Sequence, residues 1–282
     1  MNILRRLRNI IRWTVCLFFL SSILAVLAYR WLPVPVTPLM LIRCYQQMGR
    51  GEKIRLKHHW VEMDTGMTPD LALAVVASED QRFTTHNGFD FDAISKAWDE
   101  RQSGKRFRGA STISQQTAKN VFLWPGGGWF RKGLEAYFTI LIELMWDKHR
   151  IMEVYLNSIE MGDGIYGADA VAWQHFGRGA ERLTRANCAL IAATLPNPLK
   201  YSSKDPSSYI LRRQTQIMRQ MKNIGKVKLN DKGRRNNERK AEIGKLETSS
   251  SSAFSCRSVA CDFSSASVKC NAKDSVLFAL FA

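Results

Sequence analysis

Two polar blocks interrupt a sequence that is otherwise apolar and helix-forming: Glu79-Asp80-Gln81-Arg82-Phe83-Thr84-Thr85-His86-Asn87-Gly88 and Gly109-Ala110-Ser111-Thr112-Ile113-Ser114-Gln115-Gln116-Thr117-Ala118-Lys119. Buried polar groups cost free energy unless they are paired, so a core has no use for such a density of carboxylate, amide, hydroxyl and ammonium groups. A cleft that binds a sugar and a phosphate does. Glu79 follows a helical apolar stripe and falls at its end, where a carboxylate can face such a cleft as a base. Further on, Arg131, Lys132 and Glu135 fall together, with Glu135 four residues after Arg131 and so on the same helical face.

Each of these residues also has a plainer use. Ser111 and Ser114 can cap a helix. Arg131 and Glu135 can form an exposed i,i+4 ion pair worth roughly 0.2–0.5 kcal/mol. Asp80 reads as an orienting acid or as a solvated helix end, while Phe83, His86 and Gly88 shape the loop after Glu79. Gln115 and Gln116 are harder to place outside a site, because adjacent amides suit sugar hydroxyls and acetamido groups. Glu153, Tyr155 and Asn157 read as support for a cleft floor, and Arg212 and Arg213 as support or as a solvated basic face.

The surrounding pattern supplies a helical scaffold. Thr68-Pro69-Asp70 is an N-cap with proline at the first helical position, opening the helix that ends near Glu79. Leu134, Phe138, Leu141 and Met145 recur on one face over 131–148, and helical sequence continues over 150–157. Gly162-Asp163-Gly164 marks a turn and Gly167 opens the next helix. Thr184 caps 185–195, which Pro196-Asn197-Pro198 stops, and 209–224 ends at Gly225. Strand signals are sparse, so the fold class is mainly α.

The chain has 282 residues and a net charge of +16, which favours an anionic partner. The N-terminus narrows the choice. Residues 1–12 form a basic segment with Arg5, Arg6, Arg8 and Arg12 and no acid, followed by an apolar run over 13–32. About 20 residues at about 1.5 Å each cross one hydrocarbon core of about 30 Å. The arginines place the N-terminus in the cytoplasm and the remainder outside it, which argues against nucleic acid as partner. A cleaved signal peptide is the competing reading. The run exceeds the usual signal core, and no small-x-small site precedes Pro33-Val34-Pro35. Residues 33–66 read as a juxtamembrane connector whose basic stretch, Arg50 to His59, rests on anionic headgroups. His58 and His59 are adjacent, a poor spacing for one metal. Six cysteines show neither a C-x-x-C pair nor a zinc spacing, and Cys188 reads as a small packed hydrophobe. Residues 67–225 form the main domain, and 226–282, with charge runs and serines but no core-forming period, read as a disordered tail.

Taken in order, these residues resemble the five motifs of the peptidoglycan glycosyltransferases, glycosyltransferase family 51. Glu79-Asp80-x-x-Phe83-x-x-His86-x-Gly88 is similar to the first, and Gly109-x-Ser111-Thr112-x-x-Gln115-Gln116, extended by Lys119-Asn120, to the second. Arg131-Lys132-x-x-Glu135 resembles the third, Lys148-x-x-Ile151-Met152-Glu153-x-Tyr155-Leu156-Asn157 the fourth, and Arg212-Arg213 the start of the fifth. The resemblance covers roughly residues 60 to 225. It implies a lysozyme-like helical domain on a single N-terminal transmembrane helix, in the bacterial inner membrane with the domain in the periplasm. It implies polymerisation of lipid II into β-1,4 glycan strands with inversion and release of undecaprenyl pyrophosphate.

On that resemblance Glu79 is the general base and Glu135 the second catalytic carboxylate. Asp80, Ser111, Thr112, Gln115, Gln116, Lys119, Asn120, Arg131 and Lys132 bind substrate, and Phe83, His86, Gly88, Glu153 and Asn157 shape the site. No cofactor is obligatory; the pyrophosphate is met by Lys119, Arg131 and Lys132, with or without a divalent cation (Mg or Mn). The expected partners are lipid II, the growing glycan chain, the bilayer and other cell-wall synthesis or division proteins. The family pattern often has an arginine where Gly127 stands here, so one phosphate contact is expected to be missing. The Ser-x-x-Lys and Lys-Thr-Gly motifs of a fused transpeptidase occur nowhere in this chain. A lysozyme-like glycan-cleaving enzyme and a non-catalytic membrane scaffold are the alternatives. Hydrolysis gives no reason to gather Lys119, Arg131 and Lys132 around the acids, and a scaffold leaves the polar blocks unexplained.

Overall fold

A computed structural model describes residues 2–103 and 111–229. The expected tail beyond 229, residues 104–108 and the Gly109-Ala110 start of the second motif lie outside the described residues. The rest is mainly helical, as the periodicity predicts. The N-terminal helix α1 (Asn2–Ala28) takes in the arginine segment as well as the apolar run and stops before residue 32. Most of its apolar side chains, Leu4, Trp13, Leu17 and Leu24 among them, are exposed, as suits a helix whose solvent is lipid. Val26 and Ser22 are the exceptions, being buried against the domain.

The segment read as a connector is built into the domain. Helix α2 (Pro38–Gly49) opens with a capping interaction in which Thr37 Oγ1 accepts from Met40 N at 3.3 Å. Its inner face buries Met40 and Gln47, and Arg43 reaches Glu160 with two bonds of 3.0 and 3.1 Å. Strand β1 (Lys57–His58) then joins β2 (Glu160–Gly162) and β3 (Ile165–Tyr166) in the order β1-β3-β2, parallel to β3, with β2 antiparallel. Strands this short carry no readable alternation. Gly164 turns the β2–β3 hairpin at φ +71°, where a Cβ would stand 2.2 Å from Arg55 O. The adjacent histidines are separately engaged: His58 Nε2 meets Asn157 O at 3.1 Å and His59 Nδ1 meets Asp169 Oδ2 at 2.8 Å.

After the short α3 (Met63–Gly66), helix α4 (Pro69–Glu79) runs through the core. Every residue from Leu71 to Ser78 is buried, so the helix is apolar on all sides, as an enclosed helix must be. Thr68 occupies the N-cap position, but its side chain makes no capping bond. Helix α5 (Phe91–Gln102) follows, then α6 (Ile113–Phe122) and α7 (Trp129–Met145). The single helix read over 131–148 breaks at Trp146, because the Asp147 carboxylate accepts from Arg150 N at 2.7 Å and caps a new helix, α8 (Lys148–Ser158). Then come α9 (Ala168–Phe176), α10 (Arg185–Thr194), capped by Thr184, and α11 (Ser208–Ile224). Helices α10 and α11 close over α4, while α6 lies between α7 and α8.

Aromatic packing joins α1 to this body. Phe122 stacks on Phe138 at 4.5 Å, with Trp146 and Tyr29 around them. The Ser22 and Tyr137 hydroxyls bond at 2.7 Å, Trp146 Nε1 donates to Val26 O at 2.8 Å, and Arg150 donates to Tyr29 O and Leu32 O.

Candidate active site

Helix α4 ends at Glu79 because the next residue leaves helical geometry, Asp80 having φ −158°. The Glu79 carboxylate therefore sits at the rim of a cleft of about 460 Å³, walled by α4's end, by α5, by Ser111 and by Gln220 of α11. Two neutral groups hold it: Gln116 Nε2 donates to Oε2 at 3.0 Å and Ser78 Oγ donates to Oε1 at 3.2 Å. Gln116 is itself anchored, its Oε1 accepting from the Tyr155 hydroxyl at 3.1 Å.

The other first-motif residues fold the loop. Asp80 is buried; its carboxylate accepts from Ile113 N at 3.1 Å, at the start of α6, and meets His86 Nε2 at 3.0 and 3.1 Å. A carboxylate at a helix N-terminus is favoured by the helix dipole. Phe83 is fully buried, with Lys148 Nζ 4.6 Å from its ring centroid. Gly88 has φ +87°, and a Cβ there would meet Thr139 Cγ2 at 2.8 Å and Glu143 Cγ at 3.1 Å. Thr112 and Gln115, expected to touch substrate, bond within the protein. They form a reciprocal capping box at the start of α6, with bonds of 3.0 and 3.2 Å, and Thr112 Oγ1 donates to Gly88 O at 2.6 Å. Ser111 stays exposed at the cleft wall, and Asn120 is buried on α6.

The second carboxylate has different surroundings. Glu135 is buried on α7, with Arg131 Nη1 at 2.9 Å from Oε2 and Lys132 Nζ on Oε1. The alternative of a surface pair is excluded by that burial, which extends to Arg131, whose side chain is 12% exposed. Lys119 completes the cluster. Burial pushes its ammonium below the ordinary lysine range; Arg131 and Lys132 push the same way, and Glu135 and Glu79 pull it back. Three cations thus surround one carboxylate. Glu135 does not fit as a metal ligand here, since both its oxygens are taken by cations, and no group of three His, Cys, Asp or Glu with metal-holding geometry stands among the described residues.

Glu153 and Asn157 act at a distance from the cleft: Glu153 accepts from Met63 N and Arg150, and Asn157 brackets Val61 through both amide atoms at 3.0 and 2.9 Å. Arg212 is exposed on α11. Several residues with no individual role in the sequence reading enter the site region. Arg82 pairs with Asp90 at 3.2 Å on the cleft wall beside Lys96, and the Gln220 Oε1 is buried without a partner among the described residues. Glu143 accepts from Ser114 Oγ and, at 2.7 Å, from Lys148 Nζ, tying α6, α7 and α8 together. Arg82 and Asp90 had a local signal in the charge-rich run around them; Glu143 and Gln220 sit in ordinary amphipathic helices and had none.

One carboxylate at a cleft rim and a second bonded by cations, on a helical scaffold, are features that glycosyl transfer from a phosphorylated donor can use. A family model described as Transglycosylase matches residues 46–222, and the chain belongs to that family. It is 59% identical over 225 residues to a biosynthetic peptidoglycan transglycosylase of Bacteroides thetaiotaomicron, covering 80% of this chain and 89% of the relative. Proteins of the same name from Caulobacter vibrioides and Xanthomonas campestris are 51% and 49% identical, covering 76% and 78% of this chain and 90% and 91% of theirs.

Proposed function

We propose that the chain is a monofunctional, membrane-anchored peptidoglycan transglycosylase that polymerises lipid II into β-1,4 glycan strands. The observation that carries the reading is the unequal treatment of two carboxylates: among the described residues Glu79 is hydrogen-bonded only by neutral groups, and the Glu135 carboxylate only by cations. Two acids with opposed environments take different roles. Glu79 accepts the proton of the attacking sugar hydroxyl. The hydroxyl oxygen bonds to the anomeric carbon of the α-linked donor from the face opposite the pyrophosphate, the carbon–pyrophosphate bond breaks, and the product is β-linked. Undecaprenyl pyrophosphate leaves with its charge met by Lys119, Arg131 and Lys132. Glu135 fixes Arg131 and Lys132 in place and sets a negative charge near the oxocarbenium-like centre.

The N-terminal apolar helix supports a single-pass anchor, with the arginines in the cytoplasm and the catalytic domain in the periplasm, at the bacterial inner membrane. Trp129 and Phe130, 95% and 75% exposed just before Arg131, support a pyrophosphate site at the bilayer surface. The test is incubation of the detergent-solubilised full chain with purified lipid II. Polymer with released undecaprenyl pyrophosphate is the expected result. Cleavage of preformed glycan without polymer points to the lysozyme-like alternative, and neither activity in a folded protein points to a scaffold.

A further inference from the structure

We propose that Tyr155 is a positioning residue for Glu79, acting through the orientation of the Gln116 amide. The inference rests on the reading of Glu79 as general base and deepens it. Gln116 bridges the two side chains: its amide can present either its NH₂ or its oxygen to Glu79, and the two ends are nearly the same shape. A carbonyl oxygen turned toward the Glu79 carboxylate sets acceptor against acceptor. What prevents this is on the other side of the amide. The Tyr155 hydroxyl, on a residue only 1% exposed, donates to Gln116 Oε1 at 3.1 Å.

The phenol stays protonated. Burial, and after it the negative charges of Glu79 and Asp80, push it well above the ordinary tyrosine range. It therefore always carries one hydrogen to donate, and the Gln116 oxygen is the acceptor in reach. That bond commits the NH₂ to the other side, where it donates to Glu79 Oε2 at 3.0 Å. Among the described residues the second carboxylate oxygen, Oε1, is held only by Ser78 Oγ at 3.2 Å, and that hydroxyl also has Ala192 O at 3.3 Å as an alternative acceptor. Ser78 can turn to Ala192 and leave Oε1 open to an incoming hydroxyl. The relay thus pins one oxygen of the base and leaves the other for the proton. It spans three motifs: Glu79 ends α4, Gln116 lies on α6, and Tyr155 lies in the middle of α8.

Tyr155→Phe keeps the buried ring and removes the hydrogen that sets the amide. The measurement is the lipid II polymerisation rate of the full chain against pH, with kcat and KM separated. Gln116→Met, Tyr155→Phe/Gln116→Met and Glu79→Gln are run alongside, with thermal melting as a check of folding. Losing one oriented hydrogen bond at the base lowers kcat about tenfold while KM moves by less than about twofold. The sign of the pH effect is fixed: removing a donor to the ionised carboxylate favours its protonated form, so the acidic limb moves to higher pH. Gln116→Met shows the same displacement, because it removes the donor that the Tyr155 hydroxyl orients, and Tyr155→Phe, which keeps the buried ring, is compared at equal melting temperature. The double variant is no worse than Gln116→Met alone, because both act on one contact. A Tyr155→Phe enzyme with wild-type kcat and acidic limb, beside an inactive Glu79→Gln, overturns the relay and leaves the base assignment standing, as do multiplicative losses in the double variant. An active Glu79→Gln enzyme overturns both.

Discussion

At the residue scale the two acids are separated by what touches them. The same carboxyl chemistry is held by an amide and a hydroxyl at Glu79 and by a guanidinium and an ammonium at Glu135. Lys119 gives this arrangement a pH signature. Its ammonium is held below the ordinary lysine range, chiefly by burial, so its charge is lost earlier as pH rises than an exposed lysine's would be. On the proposed mechanism KM for lipid II therefore climbs on the alkaline side, and Lys119→Arg, whose guanidinium keeps its charge, flattens that climb. An alkaline KM profile identical in the two proteins would contradict the role. The chemistry-bearing residues were legible in the sequence because carboxylates, amides and cations are out of place in apolar helices. Their division of labour was not. Thr112 and Gln115 have the composition of a sugar site and cap α6, Thr112 lining the cleft as well, and nothing in residue type separates those uses.

At the element scale the site is the meeting of helix ends: the end of α4 and the starts of α6 and α7. Helix lengths and caps were readable from Thr184, Gly225 and the apolar stripes, because they are local. The break between α7 and α8 was not, since neither proline nor glycine stands at Trp146-Asp147 and the Asp147 cap alone marks it. The small sheet was invisible for the opposite reason, strands of two or three residues having no period. The first-motif loop depends on Gly88, whose positive φ and contact with Thr139 and Glu143 leave no room for a side chain. Gly88→Ala is expected to destabilise the domain by about 2 kcal/mol and to displace the carbonyl that Thr112 holds. Chemical denaturation checks this, and a variant as stable as the parent contradicts the strain.

At the scale of the whole molecule, α1 and the helical domain pack together within residues 2–229. Ser22 and Tyr137, 115 residues apart, bond directly, and Arg150 donates to the carbonyls of Tyr29 and Leu32 just past the end of α1. Such distant pairings leave no trace in composition or spacing, so the packing of the end of α1 against α7 and α8 could not be read from the sequence. Arg150→Ala is expected to speed limited proteolysis between residues 29 and 37 in detergent, by about tenfold or more for the loss of charged hydrogen bonds; an unchanged cleavage rate means the clamp does not hold that segment. Whether Glu79 is the base of a lipid II polymerase is decided most directly by one comparison. Wild-type and Glu79→Gln proteins, matched for melting temperature and for lipid II binding, are assayed for glycan polymer. The amide keeps the shape and removes the proton acceptor, so polymer is expected from the wild type and a loss of about 10²-fold or more from the variant. Polymer at the wild-type rate from Glu79→Gln would contradict that role.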